Sequence, residues 1–124
     1  MLLATACDSR PEAPRTDARE AYLHYCASCH GLAGKGDGPL AGSLTRKPTD
    51  LTRIAHDTGR FDEATILATI LGRRDVAEHG PRDMPVWGDV FKEELDADDR
   101  SYPLYTALLT AQAMTDYLRA LQEQ

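Results

Sequence analysis

The chain has only three cysteines, at positions 7, 26 and 29, and no second Cys or His pair at matching spacing. A structural zinc cage needs four ligands, usually as two such pairs, so that reading lacks half its donors. No apolar run approaches the roughly 18 residues of a membrane-spanning helix. No segment alternates convincingly with the period of two expected of a half-buried strand, and no internal repeat is present. Basic residues are in the minority, 14 Lys and Arg against 20 Asp and Glu, for a formal net charge of −6. The acids concentrate between Asp83 and Asp99. That balance argues against a nucleic-acid-binding face, which needs clustered Lys or Arg. It suits docking onto a basic partner surface, or serves simply as a solvated face.

What remains is enough for one small domain: 124 residues, 42% of them hydrophobic, with nine glycines and seven prolines clustered towards the middle of the chain. A loop-rich domain of this size buries little apolar surface and usually needs a staple, metal or cofactor.

The elements expected are helices. Thr16 or Asp17 can cap a first helix with Glu20 in its opening turn, and Ala18, Ala21, Tyr22 and Tyr25 share one face leading into Cys26. Residues 31–60 are rich in Gly and Pro and read mostly as loop. Asp62 is positioned to cap a second helix, with Phe61 stapling onto Ile66, an apolar stripe at 66, 67, 70 and 71, and Gly72 as the stop. A short helix is expected around residues 86–95. A last one opens near Pro103 and buries Ala107, Ala111, Met114, Leu118 and Leu121.

The pentapeptide Cys26-Ala-Ser-Cys29-His30 carries the chemistry. Zinc lacks the partner ligands, and a thioredoxin-like redox pair expects a βαβ setting that the Gly-rich sequence after Cys29 does not provide. Neither reading explains a His directly after the second Cys. Cys-x-x-Cys-His is the attachment motif of c-type haem: two thioether bonds hold the porphyrin edge, and the adjacent His is an axial ligand. The three-residue offset suits a helical turn.

The sixth ligand is expected to be Met84, in the loop Asp-Met-Pro-Val-Trp-Gly, where Pro85 stiffens the backbone just beyond the thioether. Met114 lies on the buried stripe, where core packing is the default. His24, His56 and His79 are the alternatives. Gly34-Lys-Gly36-Asp-Gly38 invites a phosphate-loop reading but lacks the Gly-Lys-Ser/Thr order, so a loop wrapping the haem edge is preferred. Lys47, Arg73, Arg74 and the hydroxyls of Thr49 and Thr52 are candidates for haem propionate contacts, with plain surface exposure as the alternative.

With these residues in place, residues 17–122 resemble a class I c-type cytochrome. The resemblance implies an all-α cytochrome c fold of three to five helices with long loops around one covalent haem c. Tyr22, four residues before Cys26, matches the aromatic of the family's first helix, and Tyr117-Leu118 matches the Tyr-Leu of its last, which crosses the first. Pro39 matches the proline whose backbone carbonyl accepts the Nδ1 hydrogen of the proximal His, here His30. Trp87 resembles an aromatic packed near the haem. Ala18 stands where many relatives have Gly at the helix crossing, a methyl that should widen the crossing only slightly.

Residues 1–16 are expected to lie outside the cytochrome c domain of residues 17–124. Leu-Ala-Thr-Ala-Cys resembles the cleavage box of bacterial lipoproteins, with Cys7 the lipidated residue and Asp8 resembling an inner-membrane retention signal. Six residues before Cys7 are too few for a secretory leader; one explanation is a true start upstream or a trimmed N-terminus, and the alternative is a disordered tail carrying a stray thiol. Residues 8–16 read as a polar, Pro-spaced tether.

The expected function is a monohaem electron carrier between redox partner proteins, not an enzyme, located in the periplasm and attached to a membrane only through Cys7. Two alternatives stay open: a haem sensor with a labile sixth ligand, or a fixed haem subunit of a dehydrogenase or terminal oxidase.

Overall fold

The computed structural model of the protein describes residues 17–72, 84–96 and 103–122. Among these residues the secondary structure is helical, with no strand. The α-helices are α1 (Ala18–Tyr25), α2 (Ala27–His30), α3 (Ile54–Thr58), α4 (Glu63–Ile70), α5 (Trp87–Asp96) and α6 (Pro103–Leu121). Two 3-10 turns, Ala41–Ser43 and Leu51–Arg53, lie in the segment between α2 and α3.

Local chemistry accounts for the boundaries. Asp17 caps α1, its carboxylate accepting from the backbone N–H groups of Arg19 (2.9 Å) and Glu20 (3.2 Å), which satisfies donors that the first turn leaves unpaired. Asp62 does the same for α4 through Thr65 N–H, and Gly72 at φ 71° follows the helix in the left-handed region. The helix count exceeds the expected three to five for two reasons. Cys26 divides the first helix into α1 and α2. The stretch read as loop also holds α3, ended by Gly59 in the left-handed conformation and preceded by an Asp50 side chain that caps Thr52 N–H.

The core sits where α6 receives α1, α4 and α5. Ala107, Ala111, Met114, Leu118 and Leu121 of α6 are buried, as the apolar period requires, together with Ala21, Tyr22, Ala27, Ile70 and Phe91. Fully burying side chains such as Phe91 and Met114 contributes about 1.5–3 kcal/mol each. Thr110 and Thr115 are buried with them, and their hydroxyls return to the carbonyls of Thr106 and Ala111 (2.9 and 2.8 Å), so neither is left unpaired. The α1–α6 crossing is marked by Tyr22 against Tyr117, ring centroids 5.0 Å apart.

The α5 helix joins this core through an aromatic cluster. Tyr25 meets Phe91 at 4.8 Å and Trp87 at 5.6 Å in edge-on geometry, the arrangement favoured by ring quadrupoles. On the far side, Glu63 of α4 pairs with Arg119 and accepts from Gln112 (2.7 Å), while the Arg119 guanidinium lies 5.6 Å from the centre of the Phe61 ring.

Candidate haem site

Cys26 is the joint between α1 and α2. Its N–H closes α1 on Tyr22 O (2.9 Å), and its carbonyl opens α2 by accepting from Cys29 and His30 (3.2 and 2.8 Å). One helical turn therefore presents Cys26, Cys29 and His30. Both cysteines are free thiols, half-buried. The Cys26 Sγ lies 3.8 Å from the Met114 Sδ of the core. Burial, reinforced by the neighbouring Cys29, pushes the Cys26 thiol up to about 12.

The segment after His30 closes back onto α2. Gly38 N–H donates to Cys29 O (3.1 Å), Leu40 N–H to Ser28 O (2.9 Å) and Gly36 N–H to His30 O (2.8 Å), filling carbonyls at the helix end. Glycine at 38 allows this approach, since a Cβ there would stand 2.7 Å from Ala27 O. The glycine-rich stretch thus folds onto the attachment helix, and its glycines serve close backbone packing.

The chain then returns over itself. Leu51 N–H donates to Gly34 O (2.6 Å), and Gly36, at φ 77°, faces the Pro48 carbonyl so closely that a Cβ would collide with it. This path brings Thr49 O to 2.9 Å from His30 Nδ1. A carbonyl can only accept, so Nδ1 carries the hydrogen and Nε2 keeps its lone pair. Burial holds the imidazole below its ordinary pKa, with the Thr49 bond acting in the opposite direction. The neutral, oriented ring is the form that binds iron.

Pro39 was expected to supply that carbonyl, and the structure corrects the expectation. Pro39 is exposed, held beside α2 by the Gly38 and Leu40 bonds, and the acceptor is Thr49, directly after Pro48. The same loop holds both prolines, and only its fold back across Gly34 and Gly36 selects the second.

Met84 is half-buried and lies three residues before α5. The segment leading into α5 is fixed against the end of α4. Any Cβ on Gly72 would strike the Val86 side chain, and one on Gly88 would stand 2.8 Å from Leu71 O. Trp87 sits in the cluster with Tyr25, the residue next to Cys26. Of the alternative ligands, His24 is 69% exposed and 4.0 Å from Glu94, and His56 is 74% exposed and bonded to Asp57 (2.8 Å). Both point their polar atoms at surface carboxylates. Lys47 is exposed, and the Thr52 hydroxyl is taken by Asp50 (2.6 Å). Cys7, Arg73, Arg74, His79 and residues 1–16 lie outside the described residues.

Two residues escaped the sequence reading. Tyr22 was placed as a helix-face aromatic, and its buried hydroxyl in fact donates to Gly31 O at 2.7 Å, tying α1 to the residue after His30. Gln122 was not singled out at all. It reaches from the end of α6 to Ala55 N–H (3.0 Å) and to the Leu51 carbonyl.

The donor set fits a c-type haem: two thiols one helical turn apart, then an imidazole with one nitrogen committed and the other available. Among the described residues no group of three or more Cys, His, Asp or Glu side chains could hold a bare metal ion. A helical core with α1 crossing α6, and this pentapeptide at the end of α1, define a c-type cytochrome domain. The family model for cytochrome c oxidase, cbb3-type, subunit III matches residues 13–99, and the chain belongs to that family. A domain of this kind holds haem c and works by haem-based electron transfer. No curated protein and no solved structure matches the chain.

Proposed function

We propose that the protein carries single electrons between redox partner proteins through one haem, joined covalently to Cys26 and Cys29 and ligated by His30 and Met84. The observation that carries this reading is the His30 imidazole, fixed by Thr49 O through Nδ1, with no hydrogen bond to its other nitrogen among the described residues. When bound, the haem supplies reversible one-electron exchange at its iron. His30 and Met84 would hold the iron, and two protein ligands there would exclude small molecules. A neutral Met84 thioether would favour the reduced state, as would exclusion of water from the iron, and the potential is expected to be positive. The protein acts on no substrate of its own.

Exposed Asp89, Glu93 and Glu94 on α5 would meet a partner with a basic docking surface. Thioether attachment, as the family resemblance implies, takes place outside the bacterial cytoplasm. The proposed location is therefore the periplasm, with Cys7 as the lipid anchor.

Replacing Met84 by Ala should abolish the long-wavelength sulfur–iron charge-transfer band of the ferric protein and lower its potential. A band that survives the substitution would assign the sixth position to another sulfur, and an unaltered ferric protein with no such band would assign it to a histidine. Ready binding of carbon monoxide by the unaltered ferrous protein at neutral pH would replace the carrier with a ligand-binding protein. The family match favours one other reading, a fixed subunit of a terminal oxidase. Purification from native membranes separates the two: a carrier leaves the membrane fraction alone, and a subunit leaves it with its complex.

A further inference from the structure

We infer that Gln122 is a positioning residue for the proximal ligand. The inference rests on the reading of His30 as an iron ligand. The Gln122 side chain is a bidentate clamp on the segment that follows Thr49. Its Oε1 accepts from Ala55 N–H (3.0 Å), and its Nε2 donates to the Leu51 carbonyl and also to Leu118 O of its own helix (3.0 Å). One amide thereby holds both ends of residues 51–55 to the end of α6.

Thr49 is two residues from the clamped Leu51, and its carbonyl is the acceptor for His30 Nδ1 at 2.9 Å. Leu51 is held on its other side by its N–H to Gly34 O (2.6 Å). Asp50, between them, is locked to Thr52 through N–H and hydroxyl (2.9 and 2.6 Å). The position of the Thr49 carbonyl therefore depends on two attachments. One is local, to the glycine-rich loop, and the other is distant, to Gln122. A carbonyl that accepts from the Nδ1–H of an imidazole strengthens the donor character of the opposite nitrogen. Gln122 in this way sets how strongly His30 favours ferric iron, although its own hydrogen bonds go to Ala55, Leu51 and Leu118 and not to the ring.

The test uses the complete haem-loaded protein and three substitutions. Gln122→Ala removes the clamp. Gln122→Glu keeps an acceptor for Ala55 but removes the donor to Leu51. Gln112→Ala, also on α6, removes the bonds to Glu63 of α4 and Asp116 of α6 (2.7 and 3.2 Å) and leaves the segment untouched. The readouts are hydrogen exchange of the His30 Nδ1 proton by NMR and the reduction potential.

Loss of the clamp should speed Nδ1 exchange roughly fivefold, in keeping with one net hydrogen bond, and shift the potential positive. Gln122→Glu should move both in the same direction by less, and Gln112→Ala should move neither. Parental exchange and potential in both Gln122 variants overturn the inference. So does a Gln112→Ala shift equal to theirs, since it would trace the effect to general loosening of α6. An unaltered protein whose spectra show no histidine-ligated iron would also overturn it. That outcome would remove the underlying site as well, and is read in the parent before any variant.

Discussion

Tyr22→Phe isolates one hydrogen bond at the base of the site. The Tyr22 side chain is fully buried, and its hydroxyl donates 2.7 Å to the carbonyl of buried Gly31. Phenylalanine keeps the ring and its contact with Tyr117 but leaves that carbonyl facing an apolar edge. A net hydrogen bond is worth about 0.5–1.5 kcal/mol, and a buried partner left unpaired costs about 1–3 kcal/mol. The expected loss is therefore about 2 kcal/mol.

Urea titration of the haem-loaded protein should show this as a lower midpoint with an unchanged slope, because the surface exposed on unfolding is the same. The potential should change little, since the substitution leaves the His30–Thr49 bond itself in place. A variant within about 0.3 kcal/mol of the parent would mean that a water replaces the hydroxyl. It would refute the claim that this bond fastens α1 to the attachment turn.

The glycine-rich loop gives a matched pair. Gly36→Ala places a side chain at φ 77° and against the Pro48 carbonyl, so it should destabilise by about 1–3 kcal/mol and shift the potential positive as Thr49 moves off His30. Gly42→Ala, which meets nothing within 4 Å, should leave both unchanged in the same denaturation and redox measurements. The α4 cap makes a prediction about pH. The Thr65 bonds, with Arg60 nearby, hold the Asp62 carboxyl below its ordinary range. A lowered folded pKa means stability that is present above the unfolded value of about 3.9 and lost as pH falls through the folded one. Asp62→Asn keeps a capping oxygen but does not titrate. Its stability should therefore fall less steeply below about pH 4, as followed by helical circular dichroism.

The legible parts of the protein are those fixed by local chemistry. The α6 stripe from Ala107 to Leu121 follows from period alone, since an apolar residue every three or four positions has one face to bury. The caps at Asp17 and Asp62 follow from a side-chain oxygen two or three residues ahead of an unpaired N–H. Cys26, Cys29 and His30 lie within five positions, so their chemistry is readable without a fold.

The parts that escaped depend on chain path. Any residue offers a carbonyl, so Thr49 bears no mark of its role. Pro39 is the marker the sequence suggests, and only the return of the chain over Gly34 and Gly36 brings the stretch after Pro48 to His30 instead. Gln122 is 67 residues from Ala55, and a glutamine near a helix end carries no sign of a distant partner. The α3 helix has five residues, too few to show a period, although Asp50 before it and Gly59 after it are the signals that could have revealed it.

The central claim is a covalent haem with His30 and Met84 as its two protein ligands. A reductive titration of the purified protein, followed by visible and near-infrared absorption, tests it most directly. The account predicts a single one-electron transition at positive potential, with a sulfur–iron charge-transfer band in the ferric protein that disappears on reduction. A ferric spectrum without that band, or a titration with no haem transition, would contradict it.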